Sequence, residues 1–144
     1  MKEINNIRQL QKALQPILID MVDTLADRVY ETLNYFLQDY YTGWTPASYK
    51  RTQEFLHSAI KIEAKSYGNG AKASVYIDYK ALNDYDTVPG LQVVKWANEG
   101  FHGGIEVEHQ PHVWDDTIDN TINNGILLSM AINYLKAQGF DIKE

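Results

Sequence analysis

Hydrophobic residues in the first forty positions recur every three or four residues, which is the period of one face of an α-helix. The longest such run comprises Leu18, Met21, Val22, Leu25, Val29, Leu33, Phe36, Leu37 and Tyr40. Mostly acidic residues fill the opposite face, so the run predicts an amphipathic helix over residues 16–41. Its apolar side must be buried, most simply against a sheet.

A shorter apolar repeat precedes this helix, at Ile4, Ile7, Leu10 and Leu14. It predicts an N-terminal helical arm over residues 1–15. Pro16 follows, and proline lacks the backbone N–H that an interior helix position needs. We therefore expect either two helical pieces or one kinked helix.

The period of the pattern changes from about four to two between Tyr40 and Thr52. Gly43 and Pro46 disfavour further helix, so the long helix is expected to end near Tyr41. The aromatic residues of this segment are Tyr40, Tyr41, Trp44 and Tyr49. Each can bury a ring and keep its polar atom bonded, which predicts a rigid aromatic corner between helix and sheet.

Residues 55–80 alternate between apolar and polar positions, with the period of a half-buried strand. The apolar set is Ile60, Ile62 and Ala64 in the first run and Ala73, Val75, Ile77 and Tyr79 in the second. Asn69 and Gly70 lie between the runs and supply the positive φ angles of a tight turn. The pattern predicts a β-hairpin with the isoleucines facing the core and Lys61, Lys65 and Lys72 facing outward.

The C-terminal half is less regular. Residues 81–90 are expected to form a loop, residues 91–98 a short helix rather than a strand, and residues 105–108 a short strand. A final helix over residues 116–138 is predicted to start at Asp115 or Asp116 and to end at Gly139, with Phe140 folding back on Leu135. Its expected core face comprises Ile118, Ile122, Leu127, Met130, Ala131, Tyr134 and Leu135.

These elements predict an α+β fold in which a small antiparallel β-sheet, built on the hairpin, is packed by the long N-terminal helix and the C-terminal helix. The length of 144 residues with 44% hydrophobic positions suits a single domain over residues 1–144.

No cysteine is present, which excludes disulfides and thiolate metal sites. The charge of −6 argues against a general nucleic-acid binder. No apolar run suggests a membrane span or a signal peptide, so we expect a protein that starts in the cytosol.

Two motifs carry a resemblance. Trp44, Pro46, Tyr49, Arg51 and Thr52 match the form Tyr-x-Pro-x-x-Tyr-x-Arg-Thr, with Trp in place of the first Tyr. The stretch Ala-Asn-Glu-Gly-Phe-His-Gly-Gly at residues 97–104 is similar to an Asn-x-Gly-x-His-Gly-Gly loop. In both respects the chain resembles the minor capsid, head-tail joining and tail-completion proteins of tailed bacteriophages and prophages.

The resemblance implies a structural component of the virion at the head-tail junction or tail end, assembled in the cytoplasm of the bacterial host. Such a protein acts as a subunit of an oligomeric ring, needs no cofactor and is not an enzyme. Its expected partners are further copies of itself and the neck, portal or tail proteins, and DNA passes through the ring without specific binding. The expected contact residues are Trp44, Tyr49, Arg51, Phe101 and His102.

Two alternatives come from other classes of protein. A small metal-dependent hydrolase would use the imidazoles and carboxylates of His102, Glu106, Glu108, His109 and His112, which are ligand types for Zn²⁺ or Mn²⁺. Their spacing fixes no two ligands on one helix face, so a solvated loop is favoured and no metal or catalytic residue is assigned. The other alternative is a cytosolic binding module encoded beside mobile DNA.

Overall fold

The computed structural model describes residues 3–43, 55–82, 89–102, 105–106 and 110–143. Five α-helices, a π-helical turn and two strand pairs lie in these segments. In chain order they are α1 (Ile7–Thr42), β1 (Ala59–Tyr67), β2 (Gly70–Ile77), α2 (Tyr79–Leu82), α3 (Gly90–Glu99), β3 (Phe101–His102), β4 (Ile105–Glu106), α4 (Val113–Ile118), the π-helical turn (Asp119–Asn123) and α5 (Ile126–Ala137). The predicted α+β architecture is confirmed.

Helix α1 is continuous, so the arm and the long helix expected on either side of Pro16 are one element. The side chain of Asn6 accepts a hydrogen bond from the Gln9 N–H at 2.9 Å and begins the helix. Gln15, directly before the proline, donates its side-chain amide to the Gly70 carbonyl at 3.1 Å. This contact fastens the proline-containing turn to the hairpin. The helix ends at Thr42, in agreement with the expected end near Tyr41.

Strands β1 and β2 form the predicted antiparallel hairpin, with Tyr67 opposite Gly70 at the turn. The turn residues are therefore Gly68, at φ 57°, and Asn69, and the expected positive φ at Gly70 is wrong because Gly70 already belongs to β2. Their register shifts between Ile62 and Lys65, because two residues of β1 lie opposite one residue of β2. Strands β3 and β4 form a separate pair of two residues each. The hairpin is therefore a two-stranded sheet within the described residues.

Before the bulge, the side of β1 that faces α1 is the opposite of the predicted one, whereas Ile77 of β2 is buried and Lys65 and Lys72 are exposed as predicted. Ala59 pairs with Ile77 and both are buried in the core, while Lys61 pairs with Val75 on the same face. Side chains alternate along a strand, so the isoleucines at positions 60 and 62 point away from α1. The side chain of Lys61 is turned inward because two carboxylates of α1 receive it.

The core lies where the C-terminal half of α1 meets the hairpin, α3 and α4. It comprises Leu33, Leu37, Tyr40, Phe55, Ala59, Ile77, Leu82, Ala97 and Val113. Helices α4 and α5 pack mainly against α1 rather than on the hairpin. The expectation that both long helices cover the sheet is therefore wrong for the C-terminal one.

The segment after the hairpin contains more helix than expected. Strand β2 ends at Ile77 instead of Tyr79, because the Asp78 carboxylate accepts the Ala81 N–H at 3.2 Å and starts the short helix α2. This helix replaces the beginning of the predicted loop. The predicted helix over 91–98 is confirmed as α3, and it ends at Gly100 with φ 83°.

The single helix expected over residues 116–138 is divided at Gly125, which has φ 79°. A left-handed residue cannot continue an α-helix, and the Asn124 side chain accepts the Ile126 N–H at 3.1 Å to begin α5. All residues of α5 are described and none is fully buried, but the predicted core residues on this helix, Leu127, Met130, Ala131, Tyr134 and Leu135, are half-buried. Ile122, which was also expected in the core, is 58% exposed, and that part of the prediction is wrong. The predicted C-terminal cap is confirmed, with Gly139 at φ 97° and the Phe140 N–H donating to the Leu135 carbonyl.

Candidate functional site

The contact residues expected from the resemblance are only partly described. Trp44, Tyr49 and Arg51 lie outside the described residues. Phe101 and His102 form β3, directly after the end of α3. The assignment of all five as contact residues stays a prediction.

The backbone of Phe101 joins the aromatic corner at the end of α1. The Tyr40 hydroxyl donates to the Phe101 carbonyl at 2.6 Å. The Tyr40 ring meets Phe55 edge-on, with 5.7 Å between ring centroids, and the Tyr41 ring stacks on Phe55 at 6.2 Å. The described part of the corner is thus packed as the sequence predicted, and it positions the start of the glycine loop.

Asn98 connects the glycine-loop motif to helix α4. Its side-chain oxygen accepts the backbone N–H groups of Trp114 at 3.0 Å and Asp115 at 2.8 Å. These are two of the free donors in the first turn of α4, which Asn98 therefore caps from another helix. The Asp116 carboxylate completes the helix start by accepting the His112 N–H at 2.8 Å. The asparagine of the motif has a structural role in this fold.

His112 belongs to the same junction. Its Nδ1 lies 2.7 Å from the Asn98 carbonyl oxygen, and a carbonyl only accepts, so this nitrogen carries the proton. Among the other candidate ligands, Glu108 and His109 lie outside the described residues. No three His, Cys, Asp or Glu residues are placed to hold a metal ion within the part of the chain that the structure describes. The metal-dependent hydrolase stays an untested hypothesis.

A three-residue ionic contact, which the sequence did not predict, links α1 to β1. Lys61 Nζ lies 2.6 Å from an Asp27 oxygen and 3.0 Å from Asp23 Oδ1. Asp23 and Asp27 are four residues apart and therefore share one side of the helix. The Lys61 side chain is only 15% exposed, so its charge is compensated where little water reaches it.

The same carboxylate of Asp23 satisfies the backbone at the bulge of β1. The Ala64 N–H, inside the register shift, donates to Asp23 Oδ1 at 2.9 Å. This bond and the Lys61 ammonium lower the pKa of Asp23. The hydrogen bond that Lys61 donates to the Asp27 carboxylate raises the pKa of Lys61. The ionic contact therefore fixes both the side of β1 that faces α1 and the position of the bulge.

The outer face of the hairpin is the side that points away from α1. At its base lie Ile60, Ile62 and Tyr76, and the last two are 44% and 42% exposed. Near the turn, Lys65 lies directly opposite Lys72, whose ammonium stands 5.1 Å from the centre of the Tyr67 ring. This face combines an apolar base with a basic tip.

The family of the chain follows from a match to a family model over residues 6–137. The chain belongs to the YomN family. The name is associated with Bacillus phages and prophages, which indicates a phage-related protein. No curated protein and no solved structure matches the chain.

The YomN match spans α1 through α5, so it includes the ionic contact, the Asn98 junction and the outer face. No described helix is both long and apolar enough to cross a membrane.

Proposed function

We propose that this YomN-family protein is a structural component of a phage or prophage virion that acts at the head-tail junction or tail end. It serves as one subunit of an oligomeric ring that joins the head to the tail or completes the tail. The membership of a phage-related family supports the proposal, as do the two motifs shared with head-tail joining and tail-completion proteins.

The observation that carries the proposal is the exposure of α5. Apolar side chains occur on almost every side of this helix, at Ile126, Leu127, Leu128, Met130, Ala131, Ile132, Tyr134, Leu135 and Ala137. A helix that is hydrophobic all round is normally buried, yet α5 contains no buried residue and Leu128 is 67% exposed. The half-buried residues of α5 and exposed Leu128 leave apolar surface that a neighbouring subunit of an assembly would cover, which supports the proposal.

The test removes the gene from the phage or prophage that encodes the chain. We expect filled heads and separate tails, or tails of abnormal length, in electron micrographs of the lysate. Supplying the wild-type chain from a plasmid should restore joined particles, and mass spectrometry should find the chain in purified virions. Normal infectious particles without the gene would contradict the proposal.

The variant Leu128→Ser separates assembly from folding. Leu128 is 67% exposed, so the monomer should keep its fold while complementation fails. Leu91, which is 60% exposed on α3, provides the control Leu91→Ser. Equal complementation by both variants would show that α5 is not part of the assembly surface.

A further inference from the structure

The basic tip of the hairpin's outer face contains an unfavourable arrangement of charge. Lys65 and Lys72 occupy directly opposed positions of an antiparallel pair, where like charges repel. Neither has a carboxylate within 4 Å among the described residues. A partner that brings negative charge to this tip and apolar surface to its base would relieve the repulsion and cover the isoleucines.

The exposed side of α1 offers that combination. Glu31, Tyr35 and Asp39 are spaced four residues apart and lie on the exposed side of the helix, beginning one turn after Asp27. Tyr35 is 65% exposed, and the two acidic residues are exposed as well. We call this surface, over residues 31–39, the acidic stripe. Arg28 lies just before it and ends the run of negative charge on that side.

The two surfaces are also similar in length. The stripe spans about 12 Å from Glu31 to Asp39 at the rise of an α-helix. The outer face spans about 13 Å from Tyr76 to Lys72 at the rise of a strand. The acidic stripe has an exposed ring, Tyr35, with a carboxylate on either side. The outer face has an apolar base and then two lysines, so the two surfaces are complementary in charge and in apolar character.

We infer that the outer face of the hairpin in one copy binds the acidic stripe of α1 in the next copy. Tyr35 of one copy covers the apolar base that Ile62 and Tyr76 form in the other copy. The carboxylate of Glu31 or Asp39 pairs with Lys65 and Lys72 of that copy. This inference rests on the proposed ring function and assigns the lateral contact between its subunits.

The geometry has a consequence for assembly. The two surfaces differ and lie on different elements, the hairpin and α1, so every copy keeps one free surface of one kind after it binds a neighbour through the other. A contact of this heterologous type continues from copy to copy and closes into a ring when the rotation permits. The contact is polar as well as apolar, so added salt should weaken it.

The first experiment reverses the lysines in the variant Lys65→Glu/Lys72→Glu. Analytical ultracentrifugation of the full chain should show oligomers for the wild type and at least tenfold weaker association for the variant. Two opposed glutamates repel as two opposed lysines do, so the melting temperature should stay close to that of the wild type. The control Lys80→Glu/Lys95→Glu makes the same charge change at exposed residues of α2 and α3 and should associate normally.

The second experiment adds the reversed stripe, Glu31→Lys/Asp39→Lys. This variant alone should also fail to associate, whereas mixing it with the reversed-lysine variant should restore oligomers. Each surface then meets a complementary one on the other variant. Restoration on mixing distinguishes this contact from one formed by two identical patches.

A third variant, Tyr35→Ser, tests the apolar part and should weaken association with little effect on the melting temperature. Several results would overturn the inference. These are a wild type that stays monomeric at its highest soluble concentration, reversed variants that associate normally, or mixtures that do not recover. Lysine reversal that abolishes binding to a DNA duplex while leaving association intact would assign the outer face to phosphate groups instead. In each case the gene-removal experiment still decides the virion role separately.

Discussion

The two faces of the hairpin differ in how well they match their residues, because β2 presents its apolar side to α1 whereas the first part of β1 presents Lys61. The inner face carries Lys61 and is closed against α1, whereas the outer face carries Ile60 and Ile62 and has no covering helix among the described elements. A lysine is enclosed on one face and isoleucines are exposed on the other, so residue type alone does not explain the difference. The difference is that α1 covers the inner face and no described helix covers the outer face.

The inner face is closed because α1 supplies partners for the lysine and for the free N–H at the bulge. Asp23 and Asp27 receive the lysine, and Asp23 also accepts the N–H at the bulge. A charged residue can be enclosed when it is paired and hydrogen-bonded. The outer face keeps apolar side chains in water, which a stable contact with another molecule would relieve. Four predictions test this contrast between the faces.

The largest effect is expected from matched substitutions of isoleucine. Ile77→Ala on the inner face should lower the free energy of unfolding by about 3 kcal/mol, because the side chain is 7% exposed and leaves a cavity. Ile62→Ala on the outer face should cost less than about 1 kcal/mol, since its side chain is already 44% exposed. Urea denaturation of the monomer measures both. Equal losses would mean that the outer face is also part of the core.

A smaller effect is expected from matched substitutions of lysine. Lys61→Met should lower the free energy of unfolding by about 1 to 2 kcal/mol, because Asp23 and Asp27 lose their common cation. Lys65→Met on the outer face should leave stability unchanged or raise it slightly, since it removes repulsion from Lys72. The same denaturation measurement applies. A stabilising Lys61→Met would show that apolar packing against α1 is better than the ion pair.

The pH dependence of stability gives the next prediction. The pKa of Asp23 is lowered in the folded state, first by the Ala64 N–H and then by Lys61, so its contribution is present above the unfolded pKa of about 3.9. That contribution is lost as the pH falls through the lower, folded value. Asp23→Asn should therefore cost up to about 1 kcal/mol at pH 7, a small value because the side chain is 37% exposed.

The difference between wild type and Asp23→Asn should shrink as the pH falls below about 4 and then through the lower folded pKa of Asp23, because the carboxylate becomes protonated over that range. Thermal melts over that range measure it, and Asp20→Asn on an exposed turn of α1 is the control. A constant difference at all pH values would assign the effect to the Ala64 hydrogen bond alone.

The smallest effect is expected at the tip of the hairpin. Gln15→Ala removes the amide that donates to the carbonyls of Gly68 and Gly70, both near the surface, and should change global stability by no more than about 0.5 kcal/mol. Hydrogen exchange of the amides at residues 66–71 should nevertheless become faster, because the turn loses its contact with α1. Gln38→Ala on the exposed side of α1 should change neither quantity. Unchanged exchange in Gln15→Ala would show that the turn holds its shape without the helix.

The local elements were largely predictable from sequence. The apolar period located α1, and Gly100 and Gly139 marked helix ends at positive φ. The Gly-Asn-Gly stretch located the hairpin turn, although its positive φ lies at Gly68 and not at Gly70. Each of these signals acts within a few residues, through backbone geometry that the residue type itself restricts. The sequence also pointed to the motif containing Asn98, although not to the cap that Asn98 provides for α4.

The candidate surfaces were less predictable than the elements. Lys61 was expected outside and is inside, while the residues of α5 that were expected inside are half-buried and none is fully buried. A period of two or four identifies which residues share a face but does not say which face another element covers. Asp23 and Asp27, one helical turn apart on α1, were the signal in the sequence for an inward Lys61. That signal can be interpreted only when the hairpin is known to lie beside this part of α1.

The kinds of element, their order and most of their ends can be read from the chain alone, because helix and strand periods, glycine conformations and capping side chains act locally. Three outcomes required the folded arrangement: the chain passes through Pro16 as one helix, β1 presents Lys61 to α1, and α5 stays at the surface. Those outcomes depend on contacts between residues far apart in the chain, such as Gln15 with Gly70 and Asp23 with Ala64. Such contacts contribute to stability only in the folded chain, where they can override local preferences for helix or strand.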